Sequence, residues 1–125
     1  MILKKKKLKK ISLFKSDIIK LFTKNNKTTN IQEIYLVNIS GKLKKNWRQH
    51  VNASKTLICI VGSYKFFYID KNKVKTILVK ENECMVIPQK TIFKFTGNSD
   101  SETKILVLSD KKNSELKSNK VFNFS

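Results

Sequence analysis

Proline occurs once in this chain, histidine and tryptophan once each, cysteine twice and glycine three times. Each scarcity excludes something. With so little Pro and Gly there is no linker and no repeat, so residues 1–125 read as one domain, long enough to bury its own core. Cys59 and Cys84 stand in the apolar stretches "LICIV" and "ECMVI" without C-x-x-C spacing. That pattern predicts two buried free thiols and argues against a disulfide scaffold or a zinc site. No apolar stretch reaches the ~20 residues of a membrane-spanning helix. The start, "MILKKKKLKKISLF", has the basic character of a signal peptide, but Lys15, Asp17 and Lys20 interrupt the apolar core that should follow. A cytoplasmic protein without membrane insertion is expected.

Acidic residues are scarce too: 9 against 27 basic ones, for a net charge of +18. Such a field attracts nucleic acid, anionic surfaces and phosphorylated ligands. Yet Arg48 is the single arginine, so all but one of the basic residues are lysines. Nucleic-acid readers lean on arginine for bidentate contacts. The lysines are dispersed, and with abundant Asn and Ile they follow the residue drift of an AT-rich genome. A lysine-rich nucleic-acid-binding protein is the alternative, not the expectation.

What the chain does have is short runs rich in β-branched and aromatic residues, separated by turn punctuation at Gly41, Gly62, Pro88 and Gly97. The runs are Ile31–Ile39, Trp47–Val51, Thr56–Val61, Tyr64–Asp70, Lys73–Val79, Cys84–Ile87, Ile92–Phe95 and Lys104–Leu108. They predict an all-β barrel or sandwich. "LICIV" reads as a strand covered on both faces. "KSDIIKLFTK" fits either a short helix capped by Ser16 or an entering strand. Residues 1–10 form a basic N-terminal segment and 111–125 a polar tail, whose "VFNF" is expected to dock on the body.

"NWRQHVNASKTLICIVG" gathers the lone tryptophan, arginine and histidine before a glycine. Gly41, Arg48, His50, Lys55 and Gly62 occupy places comparable to the first motif of the cupin superfamily, G-x5-H-x-H-x(3,4)-E-x6-G. Asn82, Pro88, Lys90, Phe93 and Gly97 do so for the second, G-x5-P-x-G-x2-H-x3-N. The chain therefore resembles a small cupin jelly-roll. Three of the four usual metal-ligand places hold Arg48, Lys55 and Phe93, which predicts no metal and no other cofactor.

Within cupins two resemblances stand out, the first the nearer and the primary reading, the second its runner-up. Glu33, Tyr35, Gly41, Lys45, Trp47, Arg48, His50, Val61, Gly62 and Asp70, then Ile87, Pro88, Phe93, Phe95 and Gly97, are similar to short dTDP-4-dehydrorhamnose 3,5-epimerase-like proteins. "TLICIVGS" and "KILVLSDKK" resemble the dTDP-sugar 3,4-ketoisomerases (WxcM-like), where His50 matches the second histidine of an R-G-x-H-A-H-K motif and Arg48 takes the place of the first. Both resemblances imply an isomerase of a 4-keto-6-deoxy nucleotide sugar in surface polysaccharide synthesis, acting as a homodimer. The strict epimerases' base aligns with Arg48, which accepts no proton, and their catalytic tyrosine has no counterpart near "LVLSDKK". Ketoisomerisation is thus easier to accommodate than double epimerisation.

Residues two apart on a strand share a face, so Arg48 and His50 should point the same way. The resemblance makes His50 and Lys55 the catalytic pair, His50 as base. Arg48, Glu33, Tyr35, Phe93 and Phe95 become substrate contacts and Asp110 a guess for the partner of the base. Trp47, of opposite parity, is expected to pack. A binding-only cupin that holds an anionic nucleotide sugar is the non-enzymatic alternative.

Overall fold

The computed structural model describes residues 3–8, 10–13, 16–19, 31–41, 46–98, 100, 102–112 and 118–120. Twelve strands fall among them: β1 (Lys5–Lys7), β2 (Lys10–Leu13), β3 (Ser16–Ile19), β4 (Glu33–Ile39), β5 (Arg48–His50), β6 (Lys55–Val61), β7 (Ser63–Asp70), β8 (Lys73–Lys80), β9 (Glu83–Ile87), β10 (Ile92–Gly97), β11 (Thr103–Ser109) and β12 (Ser118–Lys120). Two five-stranded sheets, ordered β1-β9-β6-β11-β4 and β12-β5-β10-β7-β8, form the body, and β2 pairs with β3. This is the all-β cupin-type sandwich expected. All eight predicted runs are strands, and the open choice at Ser16 resolves to a strand within Ser16–Ile19. Lys45, Phe122 and Phe124 lie outside the described residues.

Alternation builds the core. Along β4, Glu33, Tyr35, Val37 and Ile39 face inward while Ile34, Leu36 and Asn38 face out. On β7, Tyr64, Phe66 and Tyr68 are buried and Lys65 is exposed. The two inner faces meet in one cluster that includes Ile39, Leu57, Cys59, Tyr64, Phe66, Tyr68, Val79, Met85, Ile87, Phe93, Ile105 and Val107. Phe66 stacks on Phe93 with ring centroids 5.5 Å apart. Truncating such an aromatic costs about 3–5 kcal/mol. The exposed Lys5–Glu83 ion pair at 2.8 Å contributes at most about 1 kcal/mol, so packing between the sheets dominates.

The two-sided burial expected of "LICIV" holds for its first three residues. Leu57, Ile58 and Cys59 are buried, but Val61 is exposed. Both thiols are free, Cys59 buried and Cys84 half-buried. Burial pushes the Cys59 thiol up to about 11, helped by Glu81 and Glu83, so it stays protonated and inert at neutral pH.

Turn chemistry also matches backbone need. Lys71 and Asn72, both at positive φ, join β7 to β8, the pattern of a hairpin turn whose twist suits its strands. Gly62, at φ +82°, sits where an added Cβ would lie 2.7 Å from Thr103 Oγ1 and 3.1 Å from the Glu102 carbonyl. Gly62→Ala should therefore lower stability by about 1–3 kcal/mol through strain and overpacking. Denaturant midpoints measure this, and an unchanged midpoint would refute it.

Candidate functional site

Short strand β5 carries two of the rare residues. It lies between β12 and β10, with Phe93 opposite Arg48 and Ile92 opposite Gln49. The segment after β9 clamps it: the Lys90 amide donates to the His50 carbonyl at 2.8 Å, and the Gln49 side-chain amide donates to the Lys90 carbonyl at 2.8 Å. Thr91 closes the same turn by donating its hydroxyl to the Pro88 carbonyl at 2.8 Å. Lys90 stands at the glycine place of the cupin P-x-G signature and adopts φ +71°. The left-handed conformation is thus kept without glycine, at a cost of roughly 1–2 kcal/mol.

This clamp turns Arg48 and His50 into the space between the sheets. A cavity of about 110 Å³ is lined by Tyr35 and Val37 of β4, Arg48 and His50 of β5, Lys55 and Leu57 of β6, Ile87 of β9, Phe93 and Phe95 of β10, and Ile105 and Val107 of β11. Six of the seven residues expected to serve catalysis or substrate binding meet there. Glu33 is the exception. It lies on the inward face of β4 two residues before Tyr35, but nearer the strand end than the cavity. Asp110 is not a partner of the base: its carboxylate accepts the Ser54 amide at 2.9 Å, and it does not line the cavity. Trp47 is buried with the Lys94 ammonium 4.9 Å from its ring centroid, a packing role as its parity implies. The apolar walls Val37, Leu57, Ile87, Ile105 and Val107 were not singled out from sequence, although strand alternation carries the signal.

Arg48 is exposed, at the open side of the cavity, whereas His50 is only 8% exposed. The imidazole tilts against Phe93, centroids 5.5 Å apart. Desolvation, then Lys55, then Arg48, lower the His50 pKa from 6.5 to about 4. A drop of that size disfavours the imidazolium by about 3 kcal/mol, so His50 is a neutral proton acceptor at pH 7. Lys55 donates to the Tyr35 hydroxyl at 2.7 Å. Its ammonium is 5.3 Å from the Tyr35 ring centroid. Together the two distances place it ahead of the hydroxyl along the C–O direction, and not over the ring face.

Cupins commonly hold a metal here, and this donor set does not fit one. The four ligand places converge on the cavity, yet they present one imidazole, one phenyl ring and two cations. Among the described residues no group of three or more His, Cys, Asp or Glu could hold a metal ion. The lining suits an electron-rich or anionic ligand instead.

The sequence matches the family described as "FdtA: WxcM-like, C-terminal" over residues 3–119, and the chain belongs to it. Of the two resemblances read in the sequence, this is the second. No match to a curated protein reaches significance. Among solved structures, the chain is similar to a dTDP sugar isomerase from Desulfovibrio desulfuricans G20, with TM-score 0.80 and 15% identity over 100% of this chain and 94% of that one. A 3,4-ketoisomerase from Helicobacter canadensis gives 0.77 and 19%, covering 93% and 90%. A His→Asn mutant of the 3,4-ketoisomerase QdtA from Thermoanaerobacterium thermosaccharolyticum, in complex with TDP-4-keto-6-deoxyglucose, gives 0.76 and 17%, covering 90% and 83%. At these identities the likeness shows a shared fold.

The lone histidine makes the electrostatics directly measurable. Unfolded, His50 takes up its proton below about pH 6.5; folded, it does so only near pH 4. Over that window the unfolded state binds more protons, so stability falls as pH drops from about 6.5 to 4. The imidazole Cε1–H resonance should titrate near pH 4 in the folded protein. A midpoint near 6.5 would show that the imidazole is neither desolvated nor repelled.

Proposed function

We propose that this chain is a metal-independent 3,4-ketoisomerase of a dTDP-linked 4-keto-6-deoxy sugar, serving cytoplasmic synthesis of surface polysaccharide. One observation carries the reading: a neutral, buried histidine flanked by two cations in an otherwise largely apolar cavity. The cytoplasmic assignment rests on the two free thiols. Family membership and the sugar-nucleotide isomerases that share the fold supply the reaction class.

The chemistry follows from what the lining offers. His50 takes the proton from C3 of the 4-keto sugar, and the electron pair moves into a C3–C4 enediolate with negative charge on O4. Lys55 and Arg48 place positive charge around that oxyanion, and the Tyr35 hydroxyl can donate to it. His50 then returns the proton to C4, while the hydroxyl proton passes from O3 to O4 and the carbonyl re-forms at C3. Atoms balance without a co-reactant. Among the described lining residues only His50 combines a proton-accepting nitrogen with neutrality at pH 7, so one base serves both carbons on one face of the sugar. Phe93 and Phe95 supply flat apolar walls for the ring. Arg48, at the open side, suits the diphosphate.

Two copies of the chain form a dimer in this reading. Cross-strand register aligns Leu36, Leu106, Ile58 and Cys84 in one row on the outer face of the first sheet, and Ile34, Leu108, Thr56 and Val86 in the next. None of these eight positions is charged, although the chain carries +18. Ile34, Leu36 and Val86 are 59%, 50% and 52% exposed. A face without charged side chains spares two such cations a like-charge contact, and this one is apolar as well.

In deuterated buffer, dTDP-4-keto-6-deoxyglucose should exchange C3–H and yield the 3-keto isomer. With a C3-deuterated substrate in ordinary water, part of the label should appear at C4, as one base requires. His50→Ala should cut turnover about 10²–10⁴-fold, and Arg48→Ala should chiefly weaken nucleotide binding. Binding without exchange would leave a non-catalytic cupin. Light scattering checks the dimer: wild type should run as two chains and Leu36→Glu as one, and a monomeric wild type would refute the assignment.

A further inference from the structure

Tyr35 and Lys55 share a side-chain hydrogen bond within the cavity, and the direction of that bond is forced. An ammonium has three donors and no lone pair, so the phenol oxygen must accept. Its own hydrogen finds no acceptor in Lys55 and must donate elsewhere. Lys55 Nζ stands 2.7 Å ahead of the hydroxyl, close to the line of the C–O bond. Both residues line the cavity with His50, and no carboxylate occurs among the described lining residues to compete for either. The strands that carry them, β4 and β6, are not neighbours; β11 runs between them. The bond therefore bridges across a strand on the inner face of the sheet, within the cavity lining.

Resting on the isomerase reading, we infer that Lys55 is a positioning residue that acts through Tyr35, by donating to the phenol oxygen and leaving its O–H for the bound sugar. Lys55 serves as more than a second positive charge near the oxyanion. Because an ammonium accepts no hydrogen bond, the phenol's own hydrogen cannot be spent on Lys55 and is left to donate to the ligand. Preset donors stabilise a developing oxyanion without reorganisation during the reaction. Neutral Lys55 replacements of similar length leave the phenol oxygen without its donor and the O–H free to rotate.

The first test needs no substrate. With tyrosine labelled at ¹³Cζ, the three tyrosines give three resonances, and Tyr35→Phe identifies the one from Tyr35. Lys55→Met should shift that resonance, and Lys55→Arg, which retains a donor, should restore it. An unmoved resonance would overturn the pairing whatever the protein's activity. The second test is a kinetic cycle on dTDP-4-keto-6-deoxyglucose. Lys55→Met and Tyr35→Phe should each lower kcat about 10²-fold with little change in KM. The double variant should be no slower than the worse single one. Losses that multiply would show that Lys55 acts on the sugar directly and would overturn the positioning role. A wild type that binds but never turns over the substrate would remove the proposed reaction, and with it the kinetic half of the inference, while the resonance test still decides the pairing.

Discussion

The register of β5 against β10 decides whether this protein has a site at all. Side chains alternate along a strand, so a slip of one residue would send Arg48 and His50 to the outer face and bring Trp47 and Gln49 into the cavity. A three-residue strand has little ladder with which to resist that slip. Its register is held instead by contacts at its ends and sides. Lys90 binds the His50 carbonyl, Gln49 reaches back to Lys90, and Trp47 is buried with Lys94 beside its ring. The strained left-handed Lys90 belongs to the same clamp. Its strain is stored where the surroundings determine the backbone, as is usual beside functional groups.

Once β5 is fixed, the cavity gathers positive charge, which no folding argument would choose. Arg48 and Lys55 both disfavour protonation of His50, and burial adds to them. A half-buried Lys55 is tolerable because a phenol takes one of its donors, and Arg48 is tolerable because it remains exposed. The arrangement costs little while His50 is neutral and becomes unfavourable when it is charged. In the proposed reaction, proton acceptance by His50 would therefore be brief. Such a base returns a proton readily, as a reaction that moves hydrogen between adjacent carbons requires.

Much of this was legible before any coordinates. The eight apolar runs became strands because their alternation matched a two-sheet core, and the spacing of Arg48, His50 and Lys55 placed all three in one cavity. What escaped had a physical reason in each case. β1 is Lys5–Lys7, with no apolar alternation to announce it, and it exists by pairing with Met85, Cys84 and Glu83. β12, at Ser118–Lys120, sits in a polar tail and pairs with β5. Asp110 was a candidate by proximity to a motif, yet its carboxylate is taken by the Ser54 amide. The Tyr35–Lys55 bond spans twenty residues and skips a strand, so neither periodicity nor neighbouring register could signal it.

The large positive charge has a structural reading beyond composition. β1 and β8 each lie at the open edge of their sheets. Lys5 joins the two edges, its ammonium donating to the Leu78 carbonyl on β8 at 2.9 Å. Lys5 to Lys7 on one strand with Lys4 just before it, and Lys73, Lys75 and Lys80 on the other, are exposed. Lysine along an edge strand obstructs pairing with a foreign chain, since each approach brings like charges together or desolvates an ammonium. The outer face of the first sheet shows the opposite pattern, two uncharged rows with exposed Ile34, Leu36 and Val86. Charge thus guards the β1 and β8 edges against association, while the outer face of the first sheet carries none in these two rows. That division suits the proposed dimer, which would use the uncharged face while lysine guards the β1 and β8 edges.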